Sequence, residues 1–225
     1  MYNQEYIEIF KETYITIKKR IDERISFFKE LYRNATDEDI FLELAFCILT
    51  PQSKARSAEK AINRLKKENQ IYSNDISILS DIFNIVRFKN NKAKYYIMAR
   101  ELFSNNIDNV NNGRNGEIEI KKYINEKDIL STRDFFVKNI VGFGYKEGSH
   151  FLRNIGFGER FAILDRHILK NLHFANVINE VPRSITPKVY MEIEKKMLDF
   201  SNYIGIALDS LDFVLWYKEA NDIFK

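Results

Sequence analysis

The chain is poor in the residue types that cross-link proteins or interrupt their helices. Its 225 residues include one cysteine, three prolines and eight glycines. The single cysteine, Cys47, excludes internal disulfides and any iron–sulfur cluster held by four cysteines of the chain. It lies in an apolar run, so we expect it to be buried, and a reducing compartment fits its use. The three histidines are scattered, so they do not form a convincing set of zinc ligands.

A strong excess of charge and a long apolar run are also missing. The chain has 35 basic and 32 acidic residues, a net charge of only +3. Binding to a polyanion would therefore depend on local placement of charge and of backbone dipoles. No apolar run reaches membrane-spanning length, and the polar N-terminus lacks the core of a signal peptide. We expect a cytoplasmic protein that does not enter a membrane.

What the chain does contain is a series of long segments with helical periodicity. Apolar residues recur from Ile7 to Phe28 at helical spacing, which predicts one long helix or two in series, with a short coiled coil as the alternative. Thr36 is predicted to cap the next helix. We predict an all-α protein of two helical lobes around a cleft, one formed by about 1–35 with 165–225 and the other by 36–164.

Several helix boundaries follow from capping residues. Thr50 and Pro51 predict a helix over about 52–67, with Pro51 at its first turn. Ser131 followed by Asp134 resembles another helix start. Thr186 and Pro187 predict a helix to about Phe200, and a last helix is predicted over about 204–219. The asparagine- and glycine-rich segment 105–115 is predicted to be a flexible loop.

The rest of the chain is organised around residues 134–169, which read DFFVKNIVGFGYKEGSHFLRNIGFGERFAILDRHIL. Gly142 and Gly144 flank a phenylalanine, Lys146 follows them, and Asp165 comes nineteen residues later. Glycines permit a tight turn between two helices, and the amides that open the second helix point outward at the positive end of its dipole. Such a turn binds phosphate well. An ordinary αα-corner is the alternative.

The pattern resembles a helix-hairpin-helix DNA-binding motif. The segments GYKEGSHFLRN and ILDRH make it similar to the helix-hairpin-helix family of base-excision DNA glycosylases. Within that family, the resemblance is greatest to the archaeal and bacterial type 2 8-oxoguanine DNA glycosylase/lyases, and it extends from about Phe41 to the C-terminus. Gly148 departs from the family, which usually has alanine there, so we expect a slightly looser second helix.

The resemblance implies catalytic roles for Lys146 and Asp165. The lysine would attack the C1′ carbon of the damaged nucleotide and form a Schiff base, from which the 3′ phosphate leaves by β-elimination. The aspartate would stabilise the developing cationic sugar and help to remove the lysine proton. The alternatives are a surface lysine that contacts phosphate and an aspartate that caps a helix, and the second can coexist with catalysis.

The resemblance also implies how the oxidised base is read. Trp216 would stack on it, Asp212 would accept hydrogen bonds from its edge, and the terminal carboxylate of Lys225 would contact it. A core tryptophan, a solvated aspartate and a frayed tail are the alternatives. The family's glycine near Ala220 and Asn221 is missing, which puts the path of the tail in question.

Further residues are expected to contact the DNA around the damaged base. We expect Gln52 and Ser53 near the gap left by the extruded base, unless they only cap a helix, and Phe88 as a second stacking partner. His167 is expected to be a structural partner at a helix start. The expected phosphate contacts are the amides of Gly142, Gly144 and Lys146 with the side chains of Arg87, Lys89, Lys92 and His150.

The sequence therefore predicts a bifunctional DNA glycosylase/lyase that removes 8-oxoguanine from duplex DNA. We expect a monomer in a prokaryotic cytoplasm, associated with the nucleoid. No cofactor is required, although the prediction allows a monovalent cation shared by carbonyls of the hairpin. The same chemistry on an oxidised pyrimidine is the first alternative. A DNA-binding module without activity and a helical protein–protein adaptor are the others.

Overall fold

The computed structural model describes residues 1–104, 116–220 and 222–224, with only the backbone for 219 and 220. The predicted loop at 105–115 and the predicted base contact at Lys225 lie outside these residues. In the described part the chain is all-α, as predicted, and contains no strand beyond one isolated bridge. Its helices are α1 (Gln4–Asn34), α2 (Asp37–Leu49), α3 (Ala55–Lys67), α4 (Ile76–Ile82), α5 (Lys89–Phe103), α6 (Ile129–Asn139), α7 (Tyr145–Asn154), α8 (Arg166–Phe174), α9 (Pro187–Ile204) and α10 (Leu208–Ala220).

The chain divides into two compact units. The first contains Met1–Arg33 and Leu152–Lys225, and the second contains Asn34–Phe151. The division falls inside α7, earlier than the expected division near residue 165. Residues that follow α7 pack on α1: the rings of Phe157 and Tyr32 are 4.9 Å apart, and a Cβ on Gly156 would lie 2.8 Å from the Cα of Lys29.

The first unit is built on α1, which is a single long helix. Its buried residues are Ile7, Phe10, Ile17, Ile21 and Phe28. The last helix, α10, packs against it, with the rings of Phe28 and Phe213 stacked at 6.5 Å. The predicted start of this last helix was wrong, because Gly205 (φ +73°) ends α9 and α10 begins only at Leu208.

The second unit is centred on α2. Thr36 caps this helix as predicted, and Asp39 completes a capping box with it. Nine of the helix's thirteen residues are buried, Cys47 among them, so α2 forms the middle of a core rather than an amphipathic surface. Helices α3 and α5 pack against it.

Two predicted helix starts in this unit were wrong. Pro51 does not open α3: the chain makes a turn in which Gln52 has a φ of 54°, and the helix begins at Ala55. For α6, the residue that caps the helix is Asp128, whose side chain accepts a hydrogen bond from the Ser131 amide. In both cases the real boundary depends on contacts of the turn that local sequence does not specify.

Candidate active site

The hairpin between α6 and α7 has the tight turn that its glycines predict. Gly142 has a φ of +76°, and a Cβ there would lie 2.6 Å from the ring of Tyr95. Both the backbone conformation and the close approach therefore require glycine. Phe143 is buried, which anchors the turn to the core of the second unit.

Lys146 is the second residue of α7 and points its amine toward a carboxylate. Its side chain is 28% exposed, and Nζ lies 3.4 Å from Oε1 of Glu147. The other oxygen of Glu147 accepts a hydrogen bond of 3.1 Å from the Gly144 amide. One carboxylate thus contacts both the amine and the turn. A phosphate that binds the Gly144 amide would have to compete with Glu147.

Gly148 lies where α7 packs closely against α6. A Cβ on this residue would lie 3.1 Å from Cγ of Arg133 and 3.2 Å from Cγ2 of Val137. An alanine would therefore need its neighbours to move by a few tenths of an ångström. The missing methyl lowers helix propensity, but here it also permits close contact between the two helices.

Asp165 is held rigidly at the start of α8, in the first unit. Its Oδ1 accepts hydrogen bonds of 2.8 Å from the amides of both His167 and Ile168. The predicted helix cap is thus confirmed. Two backbone donors determine the orientation of the carboxylate, which is a property that a group stabilising a cation requires.

Asp212 is buried on α10 and paired with a cation, so it is not the solvated aspartate of the alternative reading. It is 6% exposed, and its Oδ2 lies 3.3 Å from Nη1 of Arg153. The Arg153 guanidinium lies over the ring of Phe213 at 4.5 Å. Burial raises the pKa of Asp212 to about 7, with the charges of Asp165 and Asp209 adding to the rise and Arg153 opposing it.

This raised pKa predicts a pH-dependent effect of the Asp212→Asn substitution. The folded protein binds the proton of Asp212 more tightly than the unfolded chain between about pH 4 and pH 7. Stability contributed by this group therefore falls as pH rises through that window. Relative to the parent protein, the unfolding free energy of the Asp212→Asn variant should rise by about 2–3 kcal/mol between pH 5 and pH 8. Denaturant unfolding at both pH values measures this, and a constant difference would contradict it.

Trp216 is partly exposed on α10 and is not a core residue. Its ring and the ring of His167 lie nearly perpendicular, with centres 5.2 Å apart and an interplanar angle of 80°. His167 lies in the first turn of α8, next to Asp165. His167 is thus a partner at a helix start, as predicted, and the ring that it contacts is that of Trp216.

Gln52 and Phe88 are both exposed, and both have left-handed backbone conformations. Their φ angles are 54° and 58°, and Phe88 is 53% exposed at the residue before α5. Arg87 and Lys89 beside it are exposed, and the Arg87 guanidinium lies 5.4 Å from the centre of the Phe88 ring. An exposed aromatic ring flanked by cations is suited to contact with nucleic acid.

Two residues expected to contact phosphate are buried. Lys92 is 3% exposed and donates hydrogen bonds to protein groups, so the predicted phosphate contact was wrong. His150 is 6% exposed and packs edge-on against Phe46 at 5.6 Å. That burial weighs against a direct phosphate contact for His150.

Sequence reasoning did not find the contributions of Glu147, Arg153 and Lys92. Glu147 had a detectable pattern. A glutamate three residues after the N-cap residue of a helix commonly accepts a hydrogen bond from the backbone amide of that N-cap residue. Arg153 and Lys92 had none, because their partners lie far along the chain: Asp212 for the first and residues 49–53 for the second.

Among residues 1–104, 116–220 and 222–224, no helix combines the length and the apolar character that a membrane span requires. No group of three or more histidine, cysteine, aspartate or glutamate side chains in that part of the chain is arranged to hold a metal ion.

Comparison with known proteins shows the family to which this chain belongs. Residues 21–206 match the family model described as 8-oxoguanine DNA glycosylase. The chain is 47% identical to the 8-oxoguanine DNA glycosylase/AP lyase of Fusobacterium nucleatum, over the full length of both chains. It is 36% identical to the protein of the same name from Methanocaldococcus jannaschii, over 93% of each chain.

Solved structures agree with the sequence matches. The crystal structure of the 8-oxoguanine DNA glycosylase of Thermotoga maritima matches with a TM-score of 0.83 and 27% identity, over 99% of both chains. The Methanocaldococcus jannaschii enzyme, solved with a 15mer DNA that contains 8-oxoguanine, matches with a TM-score of 0.79 and 34% identity, over 97% of this chain and 99% of that one. On the family model, the full-length relatives and the shared fold, this chain belongs to the helix-hairpin-helix 8-oxoguanine DNA glycosylase family.

Proposed function

We propose that this protein removes 8-oxoguanine from duplex DNA and then cleaves the strand, with Lys146 as the nucleophile. One observation carries the proposal: the lysine lies in the first turn of α7, directly after a glycine hairpin, in a chain whose full-length relatives are named 8-oxoguanine DNA glycosylase/AP lyase. A hairpin of this kind holds the backbone of the DNA, and the lysine is the only amine in it that follows the glycines.

The chemistry requires an amine. The neutral Nζ of Lys146 bonds to C1′ of the damaged nucleotide, and the bond from C1′ to the base breaks, so the base leaves with the bonding electrons. Opening of the sugar gives an iminium between Nζ and C1′. Loss of a C2′ proton then allows the 3′ phosphate to leave by β-elimination. Water or a hydroxyl cannot form the iminium.

The protein has two carboxylates that support this reaction. Asp165, held by its two cap hydrogen bonds, stabilises the positive charge that develops on the sugar as the base leaves. Glu147 contacts the amine itself, at 3.4 Å, and is placed to share its proton. The roles differ because Glu147 has an oxygen beside Nζ of Lys146, although its other oxygen accepts the Gly144 amide, whereas Asp165 accepts the two amides that open α8.

The base is recognised after it leaves the stack. Trp216 stacks on the extruded purine, and Phe88 is the second aromatic partner. Asp212 accepts hydrogen bonds from the base, and the carboxylate of Lys225 completes the recognition. Gln52 occupies the gap in the duplex, and Ser53 supports its turn because its hydroxyl accepts from Lys92 and from the Arg87 amide. Support comes from the exposure of Phe88 and Gln52 and from the half-exposed Trp216.

The DNA backbone is bound through the hairpin and the turn before α5. The amides of Gly142, Gly144 and Lys146 face a phosphate, and Arg87 and Lys89 contact others. A monovalent cation in this proposal is shared by carbonyls of the hairpin, where the Gly144 carbonyl also accepts the Gly148 amide at 2.9 Å. We place the protein, as a monomer, on the chromosomal DNA of a prokaryotic cytoplasm.

A panel of damaged duplexes tests the proposed function. Excision should be fastest on 8-oxoguanine and should leave the product of β-elimination. Faster excision of an oxidised pyrimidine would show that the same chemistry acts mainly on another lesion. Salt-dependent binding without cleavage would indicate a DNA-binding module, and the absence of salt-dependent binding would indicate a protein adaptor.

A further inference from the structure

Lys92 is a buried cation with a complete set of acceptors. Its ammonium has three donors. It donates to the Leu49 carbonyl at 2.7 Å, the Pro51 carbonyl at 2.8 Å and Oγ of Ser53 at 3.0 Å. Burial is the main reason that its pKa falls to about 8, and the charges of Lys146 and Arg87 lower the pKa further while Glu147 opposes them. A charge retained in such surroundings is held there by its hydrogen bonds.

The three acceptors all belong to the turn that contains Gln52. Leu49 is the last residue of α2, and Pro51 and Ser53 flank the glutamine on either side. The Lys92 ammonium therefore joins both sides of this turn to α5. Without it, two carbonyls and a hydroxyl would lose a charged donor in a mostly buried position.

The same lysine is connected to Phe88. The backbone amide of Lys92 donates to the Phe88 carbonyl at 3.0 Å, in the first turn of α5. Oγ of Ser53, which accepts from Lys92, also accepts from the Arg87 amide at 2.9 Å. A single hydroxyl therefore joins the turn around Gln52 to the residue that precedes Phe88.

Both joined residues have strained backbones. Gln52 and Phe88 have positive φ angles, 54° and 58°, which residues with a Cβ rarely adopt. Such conformations are unfavourable and persist only where the surrounding structure enforces them. The hydrogen bonds of Lys92 and Ser53 connect the residues on either side of Gln52 to the residue that precedes Phe88.

We propose that Lys92 is a positioning residue that holds Gln52 and Phe88 in the conformations needed to extrude and stack the damaged base. The inference rests on the proposed function, because it is there that these two side chains act on DNA. Lys92 itself touches neither base nor phosphate. Its effect should therefore be confined to steps in which a base must leave the duplex.

The test compares two substrates of the Lys92→Met variant in single-turnover assays. One duplex contains 8-oxoguanine, and the other contains a preformed abasic site, which has no base to extrude. Base excision should fall on the order of 10- to 100-fold, and cleavage at the abasic site should change by less than about threefold. Lys94→Met is the matched control, because Lys94 is exposed on the same helix. It should leave both rates close to those of the parent protein.

A second variant guards against misfolding. Ser53→Ala keeps the buried ammonium but removes the hydroxyl that joins the two turns, and it should give the same selective loss. If circular dichroism shows that Lys92→Met does not fold, the excision and cleavage rates of Ser53→Ala test the inference. Equal loss on both substrates in a folded variant would overturn the inference, as would no loss on either. If the parent protein cleaves neither duplex, the proposed function itself fails, which is a different result from a non-selective variant.

Discussion

Replacing Lys146 with glutamine is expected to abolish base excision and covalent trapping while duplex binding persists. Borohydride reduces an iminium to a stable amine, so it should link the parent protein to a duplex that contains 8-oxoguanine. The glutamine variant has no amine at this position, and its excision rate should fall about 10⁴-fold or more. Glutamine is similar in length and polar, so the first turn of α7 should be retained.

Lys138→Gln provides the matched control. This lysine is exposed on α6, in the same hairpin, and has no proposed role. The Lys138→Gln variant should form the borohydride-trapped complex with DNA to the same extent as the parent protein. Trapping that persists in Lys146→Gln would show that another amine is the nucleophile and would remove the central step of the proposed mechanism. Duplex binding is measured in parallel by fluorescence anisotropy, so that loss of chemistry is separated from loss of affinity.

Two substitutions of Asp165 should separate catalysis from capping. Asparagine keeps an oxygen that can accept the amides of His167 and Ile168 but removes the charge. Asp165→Asn should therefore retain nearly all of the unfolding free energy and lose about 10²- to 10³-fold in excision rate. Asp165→Ala should lose the same activity and, in addition, about 1 kcal/mol of stability.

The measurements are single-turnover excision and thermal unfolding of the two variants side by side. An Asp165→Asn protein with the parent's excision rate would mean that the aspartate only caps α8. A large fall in its melting temperature would mean that the charge is required for folding, and the activity result would then need to be read at a temperature where both proteins are folded.

Local patterns predicted much of the secondary structure. The spacing of apolar residues predicted one long helix or two in series, and the structure has a single helix, α1. Thr36 and Thr186 cap α2 and α9 as predicted. These features depend on residues a few positions apart, whose contacts are made within one helix. The predicted starts of α3 and α10 were wrong, because the real starts depend on backbone conformations at Gln52 and Gly205.

Residues close together in the chain encode the all-helical fold, the glycine hairpin followed by Lys146 and the helix cap at Asp165, so local patterns were enough to predict them. The burial of Lys92 and the pairing of Asp212 with Arg153 could be read only from the folded chain. The physical reason is that burial and charge pairing depend on which distant segments meet. Those contacts change the charge state and the position of a side chain without leaving a periodic pattern in the sequence.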